Sequence, residues 1–208
     1  MKKDSSIKAL FLDIGGVLLT DGWGHVSRKL AAKAFDLNPE EMESRHNQAF
    51  DTYELGKLTI EEYLSRVVFY EKRPFTPAQF RKFMFAQSKP YPKIIELVHK
   101  LKARYRLKVA VVSNEARELN SYRIRKFKLD GFVDFFISSC FVHLRKPDVD
   151  IFRVALDIAQ VPANQVVYIE NLPMFVQVAE GLKIRGICHT DYTSTCAKLA
   201  SFELEVAE

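Results

Sequence analysis

Five short apolar runs, each closed by turn formers or polar residues, constrain this chain more than any other feature. Residues 7–12 form the first, with Asp13 at its edge and Gly15 and Gly16 breaking it. Residues 109–112 lead into Ser113 and Asn114, residues 133–137 form the third run, residues 166–169 lead into Glu170 and Asn171, and residues 184–188 form the fifth. Short apolar runs with such boundaries read as buried strands. Helical patterns lie between them, at about 92–104, 116–127, 150–159 and 174–182. Strands alternating with helices build βαβ units, so the chain is predicted to be α/β, with one parallel sheet covered on both faces.

One segment breaks the alternation. Residues 21–88 carry helical patterns and no convincing strand. An amphipathic period covers about 26–35. Asn38-Pro39-Glu40-Glu41 has the form of an N-cap followed by Pro and first-turn acids. Thr59-Ile60-Glu61-Glu62 opens another helix, and Thr76-Pro77-Ala78-Gln79 a further one. The expected organisation is therefore a sheet core from residues 1–20 and 89–208, with a helical cap, 21–88, inserted after the first strand. Phe69, Tyr70, Phe75, Phe80, Phe83 and Phe85 are expected in the core of that cap, and Trp23, between Gly22 and Gly24, packs near its hinge.

Composition narrows the class. With 208 residues, 48% of them hydrophobic, and 16 Phe, the chain has material for a full core and is no disordered tail. No apolar run approaches the length of a membrane span, and the first residues lack the pattern of a secretory signal. Three cysteines, Cys140, Cys188 and Cys196, offer neither a disulfide framework nor a zinc site. A cytoplasmic location is the expectation. The net charge is +5. The denser basic stretch, Arg117, Arg123, Arg125, Lys126 and Lys128, reads as the solvated face of a helix whose Leu119, Tyr122 and Phe127 point inward. No nucleic-acid or membrane partner is expected, and a positive field suits a small anionic substrate.

In an open parallel sheet, ligands bind beyond the carboxyl ends of the strands. The polar residues gathered there are Asp13, Ser113, Asn114, Glu170 and Asn171, with Lys146 in the loop before the helix that precedes the fourth strand. A carboxylate can attack phosphorus, a cation can be shared between acidic positions, and Ser with Lys can hold phosphoryl oxygens. Taken singly, each residue has a plainer reading. Asp13 could be a turn former, Ser113 and Asn114 a helix cap, Lys146-Pro147-Asp148 a surface turn, and Glu170 a solvated strand end. The five histidines show no HxH or HExxH spacing, and a histidine metal site is not expected.

Together these motifs resemble the haloacid dehalogenase-like (HAD) hydrolase superfamily. "FLDIGGVL" is similar to its first motif, "VVSN" to its second, "RKPD" to its third, and "VYIEN" followed by "AEGLKIRGI" to its fourth. The resemblance implies a Rossmann-like core with a small helical cap. It also implies a phosphatase acting on a small phosphorylated metabolite, with Asp13 as a nucleophile that forms an aspartyl-phosphate. Ser113, Asn114 and Lys146 would bind the phosphoryl group, Lys146 also serving catalysis. Mg2+ would lie among Asp13, Gly15, Glu170 and Asn171. A monomer or homodimer is expected.

The chain departs from the family pattern in two places. Phosphatase members carry a second Asp two residues after the nucleophile as general acid/base, and here that residue is Gly15. A glycine carbonyl can still face a cation, but it gives no proton to a leaving group. Alkyl phosphates should suffer most from this, acyl and aryl phosphates least. Asp21 and Glu115 are the nearby carboxylates that could compensate, although Glu115 also suits the first turn of a helix. In the fourth motif, Glu170-Asn171 replaces the usual Asp pair, which should weaken a Mg2+ site without abolishing it. The alternatives are a catalytically weak or inactive HAD-fold binding protein and a haloacid dehalogenase. No Arg for the halide or Asp after the fourth motif can be assigned from the sequence.

Overall fold

The computed structural model describes residues 6–206. Five strands, β1 (Ala9–Leu12), β2 (Lys108–Ser113), β3 (Phe135–Ser138), β4 (Val166–Glu170) and β5 (Arg185–Cys188), form one parallel sheet in the order β3-β2-β1-β4-β5. All four residues of β1 and all five of β4 are buried, as expected of central strands covered on both faces.

Alternation of side chains splits the core into two layers. Leu10, Leu12, Val109, Val111, Val167 and Ile169 pack on one face against α5 (Pro92–Tyr105) and α10 (Tyr192–Ser201). Ala9, Phe11, Ala110, Val112, Val166 and Tyr168 pack on the other against α8 (Asp150–Ala159) and α9 (Pro173–Gly181). The α/β expectation holds. The first strand starts two residues later than the apolar pattern begins, at Ala9. The sequence pattern did not indicate α10 or the single turn α7 (Ser139–Val142).

Between β1 and α5 run four helices and no strand of the sheet: α1 (His25–Ala34), α2 (Pro39–Glu54), α3 (Ile60–Val67) and α4 (Pro77–Ala86). Their starts are written in their caps. Asn38 Oδ1 accepts from the backbone N–H groups of Glu40 and Glu41 at 3.0 Å, and Thr59 with Glu62 and Thr76 with Gln79 form capping boxes. The helices share a core of Trp23, Tyr53, Tyr63, Phe80 and Met84, which extends onto Ala116 and Leu119 of the sheet unit. Phe69, Phe75, Phe83 and Phe85 flank that core as expected. Tyr70 instead lies under the Arg45 guanidinium, 3.5 Å from its ring centroid.

One expectation about α6 (Arg117–Lys126) is corrected. Arg123 is 1% exposed and not on a solvated face. Its guanidinium ion-pairs with buried Glu115 and donates to Ser88 Oγ at 3.0 Å and to the Thr20 carbonyl at 3.2 Å. Thr20 and Ser88 stand where the chain leaves and re-enters the sheet unit, so this one side chain ties both crossings to the end of β2. Gly22, at φ +67°, makes room for it, since a Cβ there would lie 1.6 Å from Arg123 Nη2.

Candidate active site

The strand order reverses around β1, which places the ends of β1, β2 and β4 side by side at the carboxyl edge of the sheet. Leu12 stands level with Val111 and Ile169, so Asp13, Ser113 and Glu170 emerge from neighbouring strands.

Lys146 is the centre of the arrangement. It is 1% exposed, and its Nζ donates to Asp13 Oδ1 at 2.8 Å, Glu170 Oε2 at 2.6 Å and Tyr168 OH at 3.0 Å. All three ammonium hydrogens are thereby used. Burial alone would lower its pKa, but the carboxylates of Asp13 and Glu170 outweigh that and hold it above the usual lysine value. Asn114 sets its backbone, accepting from the Lys146 N–H at 2.8 Å and donating to the Lys146 carbonyl at 2.9 Å. Asn114 is therefore a clamp on the lysine loop. It does not cap a helix, and Lys146-Pro147-Asp148 is no mere surface turn.

Asp13 is 7% exposed, and among the described residues only its Oδ1 is hydrogen-bonded. The other oxygen, Oδ2, is left unengaged. Ser113 is 1% exposed, and its Oγ accepts a long 3.4 Å bond from the Ile14 N–H. Its own hydrogen has no acceptor among the described residues. The cap reading of Ser113 does not hold, since α6 begins after Ala116 without a side-chain cap.

Glu170 is fully buried, which removes the solvated-strand-end reading. Its Oε2 also accepts from Tyr168 OH at 2.5 Å, and its Oε1 accepts from the Leu172 N–H at 3.0 Å. Burial and the neighbouring Asp13 charge push its carboxyl up, against the opposing pull of Lys146. Tyr168 was missed from the sequence, although it precedes Glu170 by two on one strand and must share its face.

The Asn171 amide places one terminal atom 2.8 Å from Glu170 Oε1 and 3.0 Å from the Gly15 carbonyl oxygen. With nitrogen in that place, the amide donates to both. With oxygen there, three oxygens meet with no hydrogen between them, an arrangement that a cation would stabilise. Gly16, at φ +76°, permits the approach, because a Cβ on it would lie 2.4 Å from Asn171 Nδ2. No group of three His, Cys, Asp or Glu suited to a metal occurs among the described residues. A cation here would rely on Asp13 and Glu170 oxygens, one backbone carbonyl and one amide. Hard oxygen donors of this kind fit Mg2+.

A cavity of about 420 Å³ opens between this edge and the helical segment. Asp13, Gly15, Asn114, Lys146 and Asn171 line its floor. Trp23, Arg28, His46, Phe50, Tyr53 and Glu54 come from the helical side. Glu54 was not foreseen. Burial pushes its carboxyl up to about 7, although Arg145 donates to it at 2.7 Å. The Tyr53 hydroxyl is buried without a hydrogen-bond partner among the described residues. Trp23 and His46 are tied into the helical core through Tyr63, at 2.8 and 2.7 Å.

The family model for haloacid dehalogenase-like hydrolases matches residues 7–173. The chain belongs to that family. Among solved structures, the HAD hydrolase fold recurs in a HAD family enzyme from Bacteroides thetaiotaomicron, in complex with magnesium and inorganic phosphate. Its TM-score is 0.72 at 19% identity, over 91% of this chain and 98% of that one. A predicted HAD-like family hydrolase from Porphyromonas gingivalis gives 0.71 at 20% identity, over 88% and 91% of the two chains. A dehalogenase gives 0.63 at 22%, over 87% and 84%. At such identities these likenesses show the HAD fold alone. No curated protein matches the sequence. No helix among the described residues is long and apolar enough to cross a membrane.

Proposed function

We propose that this HAD hydrolase is a Mg2+-dependent phosphatase for a small phosphorylated metabolite, with Asp13 as nucleophile and the helical segment as a cap over the substrate. The observation that carries the reading is the state of Asp13. One oxygen is fixed by a buried lysine, and the other is unengaged at the floor of the cavity, near the Gly15 carbonyl and the Glu170 carboxylate that the Asn171 amide bridges. A phosphoryl group is anionic and needs its charge neutralised as it is attacked, whereas the carbon of an alkyl halide does not. The Gly15 carbonyl and Glu170 carboxylate beside the nucleophile, which could hold a cation, therefore favour phosphoryl transfer over carbon–halogen hydrolysis. The B. thetaiotaomicron enzyme, similar in fold, was solved with magnesium and inorganic phosphate.

In this reading Asp13 Oδ2 attacks phosphorus and the ester oxygen departs. Water then releases phosphate from the aspartyl-phosphate. Lys146 fixes the attacking carboxylate and balances the two acidic groups around it. Because its three hydrogens are used, contact with a phosphoryl oxygen exchanges one of those partners. Ser113, with its hydrogen unengaged, donates to the phosphoryl group. Asp13, Gly15, Glu170 and Asn171 are the residues that would hold Mg2+, which would supply charge neutralisation for the phosphoryl oxygens.

The test is phosphate release from acetyl phosphate, an aryl phosphate and a set of alkyl phosphates, with Mg2+ and with chelator. Turnover is expected only with the metal, and Asp13→Asn should remove it by several orders of magnitude, since an amide is a poor nucleophile. No release from any phosphate with Mg2+ present, or unchanged rates in Asp13→Asn, would contradict the proposal.

A further inference from the structure

We propose that Asp21 supplies the acid/base group that Gly15 lacks, reaching from the hinge into the space a side chain at position 15 would occupy. The proposal rests on the phosphatase reading above. A Cβ built on Gly15 would stand 3.5 Å from Asp21 Cα and 3.8 Å from Asp21 Oδ1. The Asp21 carboxylate thus lies within reach of where an aspartate at position 15 would carry its own. On its other side is Gly24, whose Cβ would stand 3.3 Å from Asp21 Oδ2. The carboxylate therefore sits between two residues without side chains, and it lines the same cavity as Asp13.

Asp21 is also available. Its carboxylate makes no hydrogen bond or ion pair with any described residue, and it is exposed. Its backbone is held, because Arg123 donates to the carbonyl of Thr20 and the Thr20 N–H donates to the Lys89 carbonyl at 2.8 Å. The other carboxyls on the cavity wall are engaged. Glu115 is consumed by its buried pair with Arg123, and Glu54 Oε2 is taken by Arg145.

The chemistry balances with water as the one co-reactant. In the first step the Asp13 Oδ2–phosphorus bond forms, the bond from phosphorus to the ester oxygen breaks, and that oxygen takes the proton of the Asp21 carboxyl. In the second, the Asp21 carboxylate takes a proton from water as the water oxygen bonds to phosphorus. The Asp13–phosphorus bond breaks, phosphate leaves, and both aspartates return to their starting states.

Asp21→Asn separates the two steps. With an alkyl phosphate the first step lacks its proton, and turnover should fall by roughly 10²–10⁴-fold. With para-nitrophenyl phosphate the leaving group needs no proton. The variant should then release nitrophenolate in a burst stoichiometric with enzyme and stall at the second step. Gly15→Asp combined with Asp21→Ala, which clears the side chain whose Oδ1 lies 3.8 Å from a Cβ at 15, should restore alkyl phosphate turnover. Equal loss on both substrates without a burst, or unchanged rates, would overturn the assignment of Asp21 while leaving the phosphatase reading intact. The same burst pattern in Glu54→Gln, with Asp21→Asn unaffected, would give the role to Glu54 instead. Absence of phosphate turnover in the unmodified protein would overturn the phosphatase reading and this assignment with it.

Discussion

Arg123 shows what a single residue can hide from a sequence reading. In a helix rich in Arg and Lys it reads as one more solvated charge, and nothing local distinguishes it from Arg125 or Lys126. Only the tertiary structure supplies Glu115, Ser88 and Thr20 around it. A buried pair of this kind is costly to form and more costly to break from one side. Arg123→Met should therefore lower stability by about 3–5 kcal/mol, because Glu115 is left buried and unpaired. Adding Glu115→Leu should recover much of that loss, a coupling that a double-mutant cycle from urea unfolding measures directly. Independent, additive effects would mean that the two charges do not depend on each other. The candidate-site residues were more legible because each ends or follows a strand: Asp13, Ser113, Glu170 and Asn171 all reach one edge. Lys146 was legible from its motif, but its use of all three hydrogens was not. That depends on Tyr168, whose hydroxyl a strand pattern treats as core.

At the scale of elements, the caps made the helical segment readable. Asn38, Thr59 and Thr76 satisfy first-turn N–H groups where their sequence pattern places them. α10 escaped notice because its Thr- and Ser-rich sequence has little apolar periodicity, and its Asp191 cap follows a short loop. Inside the helical segment, hydrogen bonds join three elements. The Trp23 indole can only donate, so the Tyr63 hydroxyl accepts from it, and the same hydroxyl is hydrogen-bonded to His46 Nδ1. Burial lowers the His46 pKa to about 4, the nearby Arg28 adding to this and Glu43 opposing it. Its folded pKa lies below the unfolded value, so the unfolded chain binds the extra proton between about pH 4 and 6.5. The contribution is complete above 6.5 and lost as pH falls toward 4. A shift of that size corresponds to at most about 3 kcal/mol. Between pH 7.5 and 4, the unmodified protein should lose up to about that much stability relative to His46→Gln, as read from unfolding curves at each pH. A constant difference between the two proteins across the range would show that His46 does not titrate in this way.

For the molecule as a whole, the alternation of apolar runs and helices was enough to specify an α/β sheet, because parallel strands need crossovers and central strands need cover on both faces. The order of the strands was not legible in the runs, since nothing in 133–137 says that it lies at the sheet edge beyond β2. The depth of the site was equally hidden. The cavity between sheet edge and helices is built from both parts of the chain, and its Glu54 and Tyr53 come from the end of α2. The claim on which the account turns is that Asp13 forms a covalent bond to phosphorus. Mass spectrometry of proteolytic peptides after acid quenching from Mg2+ and acetyl phosphate tests it most directly. The account predicts a phosphoryl group on the peptide containing Asp13, on that residue, and none in Asp13→Asn. The adduct should accumulate to higher occupancy in Asp21→Asn, where its hydrolysis is slowed. Sustained phosphate release with Asp13 unmodified in both the native protein and Asp21→Asn would contradict it.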